Sequence, residues 1–164
     1  MLTVPLLLIE LILVMGLAKS EIWSKGVRLG LLAAVMVILG YPGEISSDPT
    51  TRWIWWALAM IPFGWIVYEL FVGLSDAINK QPEDVRGLVN TARWLTVISW
   101  SFYPVVFVFP MIGLTGGSAA TAIEVGYTVA DIVAKAVFGV VVYMIAVRKS
   151  RADVSATPQG AAAA

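Results

Sequence analysis

A chain of 164 residues in which 59% are hydrophobic and 13% are charged carries more apolar side chain than a soluble domain of that length can hide, so it belongs in a membrane. Its 11 basic and 11 acidic residues cancel and leave no basic field for a nucleic acid. Without Cys or His there is no disulfide, no thiolate or imidazole metal site and no thiol nucleophile, so no metal is expected and proton chemistry falls to carboxylates, Tyr or Lys.

Five apolar stretches, at roughly 2 to 17, 27 to 41, 53 to 74, 94 to 114 and 122 to 147, can each satisfy their backbone as a helix in lipid. The first holds Pro5 and Glu10 and lacks a basic leader, which a signal peptide would have, so it reads as a helix that begins further upstream. The second is short for a span, and Lys25 and Arg28 lengthen it by snorkelling to the interface. Turn residues follow at Gly40-Tyr41-Pro42-Gly43 and Ser46-Ser47-Asp48-Pro49. In the third stretch Trp53 and Trp55 read as interfacial anchors beside Arg52, while Trp56 and Phe63 are two turns apart and Glu69 nears the headgroups.

Gln81-Pro82-Glu83-Asp84 makes the next turn, and Trp100, Tyr103 and Pro104 recur at helical spacing on the fourth stretch. Pro5, Pro62, Pro104 and Pro110 all fall inside proposed spans, where neighbouring helices can satisfy the freed carbonyls. After Gly116-Gly117-Ser118 comes the fifth stretch, and from Ala152 the Ser, Pro, Gln, Gly and Ala composition predicts disorder. The expected organisation is all-α: a transmembrane helical bundle over 1–151 and a disordered tail over 152–164.

If the connections alternate sides, nine Lys and Arg residues gather on one side and leave Arg52 alone on the other, which makes the nine cytoplasmic. The C-terminus is then cytoplasmic too, and Glu10 sits in the cytoplasmic half of its helix.

Lys135 stands in the middle of the fifth stretch with Asp131 one turn before it and Tyr127 one turn before that. The i, i+4, i+8 spacing stacks all three on one face along about 12 Å. A charge at bilayer depth marks a working site and needs a partner, which Asp131 supplies. An amine in an apolar pocket can attack a carbonyl and form a Schiff base. The plainer alternative is an ion pair that only fixes helix packing.

Four stretches in order carry a family resemblance: Leu2-Thr3-Val4-Pro5-Leu6-Leu7-Leu8-x-Glu10, Gly40-Tyr41-Pro42-Gly43-Glu44, the run from Arg93-Trp94 through Trp100-x-x-Tyr103-Pro104, and Asp131-x-x-x-Lys135. Together they resemble a microbial rhodopsin, of the proteorhodopsin and xanthorhodopsin type that includes the actinorhodopsin-like group. The resemblance implies five transmembrane helices corresponding to helices C to G of a seven-helix bundle, in a bacterial inner membrane and as a homo-oligomer. It implies all-trans retinal as a Schiff base on Lys135, Asp131 as counterion, Glu10 as proton donor and Thr3 as the companion position on the same helix.

By the same resemblance Trp56, Phe63, Trp100, Tyr103, Pro104 and Tyr127 line the retinal, with Met36 and Gly40 near its ring. Leu7 holds the colour-tuning position and favours green absorption, and Trp56 fills the window through which carotenoid-binding relatives dock an antenna pigment. Relatives that pump sodium or chloride carry Gln at the donor position, so Glu10 points to outward proton transport. The family's Arg-x-x-Asp-Trp stretch, with the principal proton acceptor, would fall ahead of Met1 together with helices A and B, which implies a partial chain unable to pump by itself. A sensory rhodopsin and a non-photoactive small membrane transporter subunit are the other readings that these residues admit.

Overall fold

The computed structural model describes residues 3–114 and 116–156, and every regular element among them is helical. Helix α1 spans Thr3–Val14, α2 Lys19–Ile45 and α3 Pro49–Tyr68; α4 spans Ser75–Asn79, α5 Glu83–Val108, α6 Gly117–Ile132 and α7 Phe138–Ala156. A π-helical turn, Glu69–Gly73, carries α3 into α4, and a second, Val133–Val137, joins α6 to α7. Four continuous helices are long and apolar enough to cross a membrane: Lys19–Ile45, Pro49–Asn79, Glu83–Ile112 and Ala120–Ala152. The first apolar stretch yields the 12-residue α1, shorter than a span.

Several boundaries differ from the sequence reading: α2 begins at Lys19, well before residue 27, α5 begins at Glu83, well before residue 94, and an expected turn and an expected tail also change. The Gly40-Tyr41-Pro42-Gly43 stretch is helical, with Pro42 inside α2. Helix is the state that satisfies most carbonyls where water is absent, so the turn propensity of these residues yields. The last helix continues to Ala156, past the expected break at Ala152; the rest of the expected tail, 157–164, lies outside the described residues.

The packed core lies at one end of the bundle. Leu8, Leu11, Ile12 and Met15 of α1 meet Leu29 and Ala33 of α2, Leu70 and Leu74 near the first π turn, Val85 and Val89 of α5, and Phe138, Val141 and Ile145 of α7, all buried. At this same end basic residues cross between elements to main-chain carbonyls. Lys25 donates to Gly73 O at 2.6 Å, Arg86 to Asn79 O at 2.9 Å, Arg93 to Leu70 O at 3.2 Å and Arg148 to Asp84 O at 2.8 Å.

Arg28 bonds Glu69 Oε2 at 2.6 Å, and Trp65 Nε1 donates to Glu69 Oε1 at 3.3 Å. Glu69 is therefore buried against α2, because a carboxylate that leaves water needs a cation and donors around it.

The opposite end of α3 begins with a side-chain cap. Asp48 accepts from Thr51 N at 2.7 Å and from Thr51 Oγ1 at 2.6 Å, and Pro49 takes the first helical turn, where its missing N–H costs nothing. The Thr51 hydroxyl, then its amide, holds the Asp48 carboxyl below its ordinary value of 3.8. A depressed folded-state value means that the cap contributes fully above 3.8 and loses its contribution as pH falls through the lowered value. Hydrogen exchange should show the first-turn amides of α3 losing protection on acidification below that point, and Asp48→Ala should remove both the protection and its pH dependence.

Candidate functional site

At mid-bundle the tight core gives way to a cavity of about 490 Å³, within the range of small-molecule sites. One wall is the junction of α6 and α7. There Lys135 Nζ lies 2.7 Å from Asp131 Oδ2, and the second π turn, Val133–Val137, carries the lysine. Inserting one residue into an α-helix re-aims the side chains around it, and such bulges recur at functional sites. With only the described residues around them, the side chains of the pair are each 48% exposed.

Helix α5 supplies the facing wall. Tyr103 donates its hydroxyl hydrogen to Asp131 Oδ1, so the carboxylate is held by a phenol on one oxygen and an ammonium on the other. Tyr103 stacks on Tyr127 with ring centroids 5.5 Å apart and planes 14° from parallel, and Phe102 meets Tyr127 edge-on at 6.3 Å. Space for that ring comes from Gly126, where an added Cβ would lie 2.6 Å from Phe102 Cζ. The indole of Trp56 on α3 donates to the carbonyl of Pro104 at 2.9 Å, which fixes its ring across the cavity.

Eleven of the residues singled out in the sequence line this space: Leu7, Met36, Gly40, Trp56, Phe63, Trp100, Tyr103, Pro104, Tyr127, Asp131 and Lys135. They come from α1, α2, α3, α5, α6 and the second π turn, so the cavity exists only when distant parts of the chain pack. Glu10 is not among the lining residues. Glu10 is exposed on the flank of α1 that also exposes Leu6 and Leu13, and the Thr3 side chain lies outside the described residues.

Sequence reasoning missed Val4, Val37, Tyr41, Glu44, Ala59, Met60, Phe107 and Ala134. Most were findable, since Ala59, Met60 and Phe107 follow Trp56 or Tyr103 by three or four residues and so share a face with them. Glu44 carries no such signal: it required knowing that α2 continues through Pro42. Arg52 stands near this end with its guanidinium 4.8 Å from the Phe107 ring centre, a cation–π contact in place of a free interfacial charge.

The donor set suits an elongated apolar aldehyde: an amine to bind its carbonyl carbon, a carboxylate to balance the resulting charge, and flat rings to hold a conjugated chain. A 490 Å³ space with one amine and the Asp131 and Glu44 carboxylates at its wall, and mostly aromatic or aliphatic side chains elsewhere, fits a polyene.

Comparison with known proteins agrees with that chemistry. A family model described as bacteriorhodopsin-like protein matches residues 1–149. The chain is 35% identical over 141 residues to archaerhodopsin-2 of Halobacterium sp. (strain aus-2), covering 85% of this chain and 52% of that protein. It is 30% identical over 151 residues to the green-light absorbing proteorhodopsin of Gamma-proteobacterium EBAC31A08, covering 92% and 59%. Among solved structures, xanthorhodopsin, described as a light-driven ion pump with dual chromophore, superposes with a TM-score of 0.85 at 46% identity over 93% of this chain and 61% of that one. Thermophilic rhodopsin superposes with a TM-score of 0.89 at 38% identity over 92% and 61%. The chain thus spans 52% to 61% of the length of these relatives.

Gly126→Ala should cost about 1–3 kcal/mol through overpacking against Phe102. The fall in thermal midpoint in detergent measures it, and Phe102→Leu in the same chain should recover part of the loss.

Proposed function

This chain belongs to the bacteriorhodopsin-like protein family, and from that premise we propose that it is the retinal-bearing part of a light-driven outward proton pump of a bacterial inner membrane. The observation that carries the proposal is the Lys135 amine, 2.7 Å from the Asp131 carboxylate, on the wall of an aromatic-lined cavity. All-trans retinal, held on the Lys135 amine with loss of water, would supply the light-absorbing group. The chain's own residues do the rest.

Asp131, anchored by Tyr103, stands as a carboxylate beside the Lys135 nitrogen and balances a positive charge there. Trp56, Trp100 and Tyr103 confine a conjugated chain between flat faces, and Met36 and Gly40 of α2 leave room for its far end. On α1, Thr3 and Glu10 are seven residues apart and share a face. Glu10 then serves as the acid that returns a proton to the nitrogen from the end of the bundle where the basic residues gather. That basic end is the cytoplasmic one under the positive-inside rule, which makes transport outward.

Expression from the native locus, with any in-frame sequence upstream of Met1, followed by addition of all-trans retinal, should produce a visible band that Lys135→Ala abolishes. Vesicles of that protein should move protons in the light, and Glu10→Gln should slow proton return by about a hundredfold or more, the usual worth of a positioned acid. A colourless product, or colour that survives Lys135→Ala, would overturn the reading.

Xanthorhodopsin is described as having a dual chromophore, and the Trp56 indole, tied to Pro104 O at 2.9 Å, supports a single one here. Fluorescence excitation of the pigment with carotenoid added should lack an antenna band, and Trp56→Gly should be the variant that gains one.

A further inference from the structure

Helix α1 ends at Val14, and the carbonyls of its last turn have no partner within the helix. A side chain from the far end of the sequence meets two carbonyls at this end. Lys149 Nζ, on α7, donates to Met15 O at 2.6 Å and lies 3.4 Å from Val14 O. It also donates to Gln81 Oε1 at 3.1 Å. Gln81 is buried in the turn between α4 and α5 and is itself held by its Nε2 donating to Ala77 O at 3.2 Å.

The chain makes room for this ammonium. Gly16 has φ +61°, a left-handed conformation that other residues rarely adopt, and a Cβ there would sit 2.8 Å from Lys149 Nζ. A helix C-terminus is also the electrostatically favoured place for a cation. One amine on α7 therefore joins the end of α1 and the α4–α5 turn, whose contacted residues are 134 and 68 positions from it in sequence.

The position of that join matters because of what the two helices carry. Lys135 lies fourteen residues before Lys149, just ahead of α7, and Glu10 lies five residues before Met15 on α1. The residues that α1 and α7 bury in the common core, among them Leu11, Ile12, Phe138 and Ile145, are apolar, and apolar surfaces tolerate sliding and rotation better than directed hydrogen bonds do. We infer that Lys149 is a positioning residue: its ammonium clasps the end of α1 to α7 and thereby fixes the rotation and height of Glu10 relative to Lys135. The inference rests on the proton-donor role proposed for Glu10.

The test uses the retinal-loaded protein expressed as above. Flash-induced absorbance changes separate loss of the proton from the Lys135 nitrogen and its later return. Lys149→Met should leave the visible band and the loss phase unchanged and slow the return about tenfold or more, since an ångström of misplacement costs up to about a hundredfold. Lys149→Arg, which keeps a cationic donor, should restore most of the rate. Gln81→Leu, which keeps the lysine and removes one acceptor, should slow the same phase by a smaller factor.

An unchanged return phase in Lys149→Met, or equal slowing of both phases, overturns the clasp. Should Lys149→Met form no pigment, the Gln81→Leu result decides in the same way. Failure of the underlying reading looks different, because the unmodified protein would then form no band or would show no effect of Glu10→Gln.

Discussion

A carboxylate and an ammonium 2.7 Å apart in the middle of an apolar helix set the terms for the whole structure. Neither charge is tolerable against hydrocarbon, so polar or polarisable groups must stand around the pair and the rest of the bundle must hold them there. Tyr103 does this from α5, with Tyr127 stacked on it and Phe102 braced against Tyr127. The seat of Phe102 in turn depends on the missing side chain at Gly126. A polar requirement at one point is thus passed outward as a series of packing requirements.

The bundle meets two incompatible demands by dividing its length. A tight core needs interdigitated side chains without voids, whereas a ligand cavity is a void. The core, from Leu8 to Met15 of α1 and Phe138 to Ile145 of α7, lies towards the end where Lys149 and Gln81 meet. The cavity occupies the middle and reaches towards the other end, where Glu44 lines it. Ala134 belongs to both, buried in the core cluster and lining the cavity beside Lys135, so the reactive nitrogen stands at the border of the rigid half.

Much of the site was legible because helical spacing converts directly into shared faces. Trp100, Tyr103 and Pro104 needed only a 3.6-residue period to be grouped, and Lys135 announced itself by being charged in an apolar run. What escaped were features set by long-range contact. Glu69 looks like any carboxylate near a helix end until α2 brings Arg28 to it. Gly40 to Gly43 has turn residues, yet lipid removes the water that a turn would need, and helix prevails. The half-exposure of the Lys135 and Asp131 side chains could not be read from spacing, which specifies a face but not what covers it.

The basic residues at the core end carry two kinds of information in the same atoms. In the orientation proposed above, Lys25, Arg86, Arg93, Arg148 and Lys149 would belong to the charge bias that orients a membrane chain, and each donates to a main-chain carbonyl. Topology and folding are therefore not independent variables in this chain. A substitution that removes one of these charges also strips a partner from a backbone group.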